Sequence, residues 1–175
     1  GLGDVYKRQV QTGVGRTGTF YSYQQFGIQP DLVSSAKGLG GGLPIGAVLF
    51  GEKTQDTLIP GDHGSTFGGN PVVCAGAVEV LNRMDDTFLQ NVTAKGRHMR
   101  EEIEKMPHVT SVAGMGMMLG IELDIDVKPV VTALMENGLL VLTAKHKMRL
   151  LPPLNIAQTE LEKGLSILKN TLAAL

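Results

Sequence analysis

From residue 88 onward, apolar residues recur every three or four positions. Phe88, Val92, Gly96, Met99, Ile103 and Met106 form one series, and Arg97, Arg100, Glu101 and Glu104 fall off it. That spacing predicts an amphipathic helix whose stripe is core. The period then changes. Leu119, Ile121, Leu123 and Ile125 alternate with Gly120, Glu122 and Asp124, which predicts a half-buried strand, with Met115, Met117 and Met118 packing at its edge. Residues 128–137 read as a helix stopped by Gly138. Leu139 to Leu142 and Met148 to Leu151 are expected to be two further strands. Leu161, Leu165, Leu168 and Leu172 make a closing amphipathic helix, whose first turn begins on the weak cap Ala157.

The first part of the chain is patterned differently. Residues 10–70 read as short strands joined by long loops. Asp31-Leu32-Val33-Ser34 is one strand candidate, and Ile45 to Phe50 is a second, buried one. A helix is expected to begin at Pro71, with Asn70 as its N-cap, and to run through Ala75, Val78 and Leu81 to Met84. Strands and helices alternate without an internal repeat, so the class is α/β or α+β in two lobes, divided near residues 84 and 85.

Composition narrows the possibilities. A chain of 175 residues with 42% apolar residues suits one domain, or one and a half. The net charge of −1 gives no electrostatic case for nucleic acid or an anionic membrane. No apolar run is long enough to cross a bilayer, and no signal-peptide pattern stands at the start. The single cysteine, Cys74, excludes an internal disulfide framework and fits a reducing, cytoplasmic compartment. In its apolar helical run it reads as a small core residue. Most of the 23 glycines fall at or before Gly69, marking the first part as loop-rich and site-bearing. His98, His108 and His146 lack partners at metal-ligand spacing, so no metal is expected, and His63 reads as a loop-shaping residue.

The candidate chemistry starts at Lys37. It ends a strand-like run, Pro30 to Ala36, and the glycine-dense stretch Gly38-Leu39-Gly40-Gly41-Gly42 follows at once. Such a placement would present one amine at the edge of a buried pocket, and a neutral lysine is a nucleophile toward carbonyl groups. Taken alone, Lys37 reads more readily as a solvated loop lysine, the usual fate of a lysine. Ser65-Thr66-Phe67-Gly68-Gly69, with a helix N-terminus behind it, could hold a phosphate or be an ordinary turn. Arg149, at a strand end, could grip a carboxylate. Gly13-Val14-Gly15-Arg16-Thr17-Gly18 matches the dinucleotide pattern G-x-G-x-x-G. However, Thr19-Phe20-Tyr21-Ser22-Tyr23 follows it instead of a helix, and Asp31 comes too soon for the ribose-binding acid.

Four blocks in order give these residues a common frame. They are Gln11 to Gly18, Ser35 to Gly46, His63 to Pro71, and Arg149-Leu150-Leu151-Pro152-Pro153-Leu154-Asn155-Ile156. Together they resemble the class III (omega) aminotransferases, and the fourth block resembles that family's acetylornithine branch. The resemblance implies a type I pyridoxal-phosphate transferase fold in truncated form. Residues 10–84 would be the C-terminal part of the cofactor-binding large domain, and 85–175 a small α/β C-terminal domain. It implies that Lys37 joins pyridoxal 5'-phosphate covalently and carries the proton. Gln11 would lie near the ring oxygen. Thr66, with Ser65, would bind the cofactor phosphate of the neighbouring subunit in a homodimer. Arg149 would bind the substrate carboxylate.

The resemblance begins at Val10. Where the family has two acidic residues, one pairing with the pyridine nitrogen, this chain has Arg8 and Gln9. Residues 1–9 fit nothing in the family and are expected to be a foreign lead. The implied reaction moves the terminal amino group of N-acetylornithine to 2-oxoglutarate, giving glutamate. Ornithine, succinylornithine and 4-aminobutyrate are the rival donors. A rival of another class is a catalytically inactive fragment lacking the N-terminal half and the pyridinium-binding aspartate.

Overall fold

The computed structural model describes residues 10–175 and the backbone of residues 6–8; residues 1–5, residue 9 and the side chains of residues 6–8 lie outside it. The expectations for the foreign lead and for the Arg8 and Gln9 side chains therefore fall outside the described residues. The chain divides into two compact units, the first ending at Leu89 and the second running Gln90–Leu175.

The first unit carries a three-stranded sheet ordered β1 (Tyr6–Arg8), β2 (Leu32–Ser35), β3 (Ala47–Phe50). β1 runs parallel to β2, and β2 runs antiparallel to β3. Strand β1 lies in a segment that the sequence reading set aside from the fold. Backbone pairing asks only for an extended chain, whatever side chains it carries. Strand β3 departs from expectation in another way. It begins at Ala47, and Val48, Leu49 and Phe50 are exposed instead of buried. Among the described residues β3 is a sheet edge, and no described element covers its apolar side chains.

Helix α1 (Pro71–Asn82) starts where Asn70 and Pro71 predict. The Asn70 Oδ1 accepts from the N–H groups of Val72 at 3.0 Å and Val73 at 3.2 Å. In this unit Val14, Leu39 and Ala77 are buried together, with Phe20, Ile45, Ala47, Val80 and Met84 packed around them.

Helix α2 (Asp86–Ile103) leads into the second unit, followed by β4 (Val109–Met115), β5 (Met118–Leu123), α3 (Val127–Glu136), β6 (Leu142–Ala144), β7 (Lys147–Leu150) and α4 (Gln158–Ala173). The sheet is antiparallel in the order β4-β5-β7-β6. The α2 stripe is buried at Val92, Gly96, Met99 and Ile103, and Met106 beyond the helix joins it. Leu119 and Ile121 of β5 and Met148 and Leu150 of β7 bury the inner face, as the alternation predicts. Ala157 supplies no side-chain cap to α4, as expected of that residue.

Three features of this unit were not foreseen. Val109 to Met115 is a strand, since its Gly and Ser break the apolar alternation that would have revealed it. Met117 is fully buried at the β4–β5 turn. The strand expected at Leu139 to Leu142 starts only at Leu142, because Leu139 is tied back to α3 by its N–H bond to the Leu134 carbonyl at 2.8 Å, with Gly138 at φ 85°.

Helix α2 meets the hairpin at very close range. A Cβ on Gly96 would collide with the Gly116 backbone, and Arg100 donates to the carbonyls of Val112 and, at 2.8 Å, Gly114. Gly96→Ala gains helix propensity, about 1 kcal/mol, but must displace rigid backbone. A net loss of roughly 1–3 kcal/mol is expected by urea denaturation. On the opposite, open face, Glu122 accepts from Ser111 Oγ, and His146 Nε2 and Lys147 Nζ lie 3.0 and 3.4 Å from its Oε1. These bonds, with Ser111 first, hold the Glu122 carboxyl below its ordinary value. A depressed carboxyl stabilises the fold above its unfolded pKa and loses that contribution as pH falls below about 4.3. Denaturation midpoints should therefore fall on acidification through that window, and less steeply in Glu122→Gln.

Candidate functional site

Lys37 opens a single 3-10 turn (Lys37–Gly40) directly after β2, with Ala36 extended before it. Its own φ is 52°, left-handed, which is uncommon for a residue with a side chain. The turn is fixed by what lies around it. Leu39 is buried in the core cluster beside Val14, and a Cβ on Gly38 would stand 3.5 Å from Val14 Cβ. On its other side the glycine run meets α1. A Cβ on Gly41 would sit 2.8 Å from Val80 Cγ2, and one on Gly76 would sit 2.7 Å from Leu43 Cδ1. The glycines thus let the lysine turn lie flush against both the 11–18 loop and α1.

The 11–18 loop is compact. Gly13, Val14, Gly15 and Thr17 are buried, and Val14 (φ 54°), Gly15 (φ 83°) and Gly18 (φ 93°) turn it. Gly15 N–H donates to Phe20 O at 3.1 Å and Gly18 N–H to Gly15 O at 3.0 Å. A 3-10 turn, Ser22–Phe26, follows where a dinucleotide site would need a helix. Arg16 is half-buried here, and burial lowers its pKa from the ordinary arginine value.

The sequence-nominated residues fall into three places. Val14 and Leu39 pack the Gln11 loop against the Lys37 turn, and both Gln11 and Lys37 are exposed. The expected buried pocket edge around Lys37 is therefore not formed by the described residues, because no described element covers the amine. Ser65 and Thr66 lie in an exposed turn before α1, closed by Gly68 N–H to Ser65 O at 3.2 Å, with Phe67 84% exposed. The first N–H groups of α1 are already taken by Asn70, so a phosphate at this turn would depend on the turn itself. Arg149 lies in the second unit on β7, in register with Gly120 and Leu142. Its Nε is buried with no hydrogen-bond partner. Reading the sequence did not single out Val14, whose left-handed backbone and buried side chain support the lysine turn, nor Ser35, whose buried Oγ is unpartnered two residues before Lys37. Neither carries a sequence signal beyond its place in a block. Among the described residues, no group of three or more His, Cys, Asp or Glu could hold a metal, and no helix is long and apolar enough to cross a membrane.

The profile of the aminotransferase class-III family matches residues 9–172. The chain belongs to the class-III aminotransferase family. Acetylornithine aminotransferase of Haemophilus ducreyi is 52% identical over 167 residues, which cover 94% of this chain and 42% of that protein. The Listeria innocua enzyme of the same name is 46% identical, over 94% of this chain and 44% of that protein. Among solved structures, acetylornithine aminotransferase of Elizabethkingia anophelis superposes with a TM-score of 0.86 at 35% identity, covering 95% of this chain and 47% of that one. Ornithine aminotransferase of Toxoplasma gondii, described with partial occupancy of pyridoxal phosphate at its active site, gives a TM-score of 0.90 at 33% identity, covering 98% and 43%. This class-III aminotransferase chain therefore has the fold of the pyridoxal-phosphate aminotransferases and spans less than half the length of the relatives it matches.

The donor types of the chain's residues match groups of the family's cofactor. An amine (Lys37) suits its aldehyde, the hydroxyls of Ser65 and Thr66 suit its phosphate, and the Gln11 amide suits its ring oxygen. An acid for the pyridine nitrogen would fall at Arg8, whose side chain lies outside the described residues.

Asn70 anchors the helix against which the lysine turn packs. Asn70→Ala should cost about 1 kcal/mol of stability, measured by thermal denaturation, while Asn70→Asp should retain most of it.

Proposed function

We propose that this chain is part of a pyridoxal-phosphate-dependent acetylornithine aminotransferase, transferring the terminal amino group of N-acetylornithine to 2-oxoglutarate. The observation that carries this reading is Lys37, set at the end of β2 in a left-handed turn packed between the 11–18 loop and α1, in a chain whose relatives of 41–52% identity carry that name. When bound, the cofactor supplies an electron sink for the carbon that loses its proton.

The chain's own residues would do the rest. Lys37 Nζ would hold the cofactor until the substrate amine displaces it, and the freed amine would then take the proton from the reacting substrate carbon and return it to the cofactor carbon, so that a single amine serves as base and acid. The Ser65 and Thr66 hydroxyls donate to phosphate, and their exposed turn suits a phosphate held by a second copy in a homodimer. The Gln11 amide donates to the ring oxygen. Arg149 pairs with the substrate carboxylate through two N–H groups, which satisfies its orphaned Nε. The location in the cell would be cytoplasmic. Ornithine is a second donor to consider, since the T. gondii structure bears that name.

A second reading is favoured by a specific observation: Lys37, Ser65 and Thr66 are all exposed, in a chain spanning 42% of its H. ducreyi relative. On that reading this chain alone is catalytically inactive. Borohydride reduction after adding pyridoxal phosphate separates the two. Selective phosphopyridoxyl labelling of the Lys37 peptide, lost in Lys37→Ala, is expected if the site survives in this chain. Labelling spread over many lysines would identify an inactive fragment. Where turnover is present, Arg149→Lys should raise KM for the amino donor about tenfold or more with kcat less affected, because a point charge replaces a paired grip.

A further inference from the structure

Ser35 is 2% exposed, and its Oγ has no hydrogen-bond partner. It lies on the buried face of β2 in register with Ala47, and Ala47 packs against the Val14, Leu39 and Ala77 cluster. A hydroxyl left unpaired among apolar groups is a standing cost and calls for a reason. Two residues on, Lys37 carries a second cost, its left-handed backbone at φ 52°. Glycine or asparagine would hold that conformation more easily than lysine.

One motion would relieve both. Burial fixes Leu39 at one end of the turn, and the β2–β3 ladder fixes Ser35 at the other. Between them the Ala36–Lys37 peptide is a rigid plane that can turn over about its two flanking bonds. Turning over changes ψ of Ala36, now −155°, and φ of Lys37 in opposite senses by about half a turn, and leaves the flanking Cα atoms in place. Lys37 then returns to negative φ. Its N–H comes within reach of Ser35 Oγ, the contact from a serine hydroxyl to the N–H two residues later that short turns use. There is a counterweight, because the Ala36 carbonyl gives up the Leu39 N–H that it now accepts at 3.2 Å. Each arrangement keeps one hydrogen bond that the other lacks.

We propose that Ser35 is a positioning residue for Lys37. Its hydroxyl captures the Lys37 N–H in a second state of the turn. Because the rotamers open to a side chain depend on φ and ψ, the two states aim the amine differently. This role rests on the reading of Lys37 as the lysine that takes the cofactor.

The test begins without cofactor, with nuclear magnetic resonance relaxation dispersion at the Lys37 amide, which reads exchange between microseconds and milliseconds. Exchange confined to residues 36–39 is expected, lost in Ser35→Ala and kept in Ser35→Thr, which retains a hydroxyl. A second measurement reads the amine, by borohydride trapping of pyridoxal phosphate at Lys37 relative to the exposed Lys53 in the same digest. The Lys37-to-Lys53 ratio should fall about fivefold in Ser35→Ala, the worth of one hydrogen bond, and recover in Ser35→Thr. No exchange at the Lys37 amide, or exchange indifferent to Ser35→Ala, would overturn the second state. A ratio well above one in the unsubstituted chain and unchanged in Ser35→Ala would overturn the positioning role and leave Lys37 standing as the cofactor lysine. A ratio near one in the unsubstituted chain would overturn that reading of Lys37, and the role of Ser35 with it.

Discussion

The burial of Leu39 between Val14 and Ala77 is the constraint on which the first unit depends. Lys37 could not hold a left-handed backbone by itself, because that conformation costs an L-residue of its kind about 1–2 kcal/mol. Burying Leu39 draws the chain inward two residues later. With Ser35 fixed on the buried face of β2, only a sharp turn connects the two. The strain at Lys37 is therefore imposed by packing on either side of it, and the amine is aimed by the core without belonging to it. The glycines at the contact with α1 serve the same geometry, since a Cβ at Gly41 would crowd the Val80 side chain and one at Gly76 the Leu43 side chain.

The second unit solves a different problem. Its sheet buries one face under helices and leaves the other open, and Arg149 stands on the open face beside Gly120 and Leu142. Its buried Nε has no hydrogen-bond partner and is left chemically unsatisfied. On the same face Glu122 is satisfied by Ser111, His146 and Lys147. One sheet thus carries a satisfied polar cluster and, two residues away on β7, a guanidinium with an unmade hydrogen bond.

Much of this was legible in residue order. The stripe from Phe88 to Met106, the alternation from Leu119 to Ile125, and the Asn70-Pro71 helix start are local patterns, and each reappears as an element; on α1, however, Ala77 is the buried residue and Ala75, Val78 and Leu81 are exposed. Helix spacing and capping depend on residues a few positions apart, so sequence is enough to read them. The blocks around Lys37 and Arg149 were equally plain, because their residue types and order carry the chemistry.

Tertiary structure alone decided the rest. Whether Ile45 to Phe50 is buried depends on what lies against its face, and the described chain leaves Val48 55% exposed. The start of β6 at Leu142 follows from Leu139 bonding back to α3, a competition between helix end and strand that composition does not reveal. Val14 and Gly96 matter through close approaches to segments distant in sequence, and no periodicity marks them. The sequence determined which elements form and which side chains could react, since propensity and chemistry are properties of the residue and its near neighbours. Exposure, strain and an unpaired guanidinium are properties of the space around a residue, and that space exists only once the chain has folded.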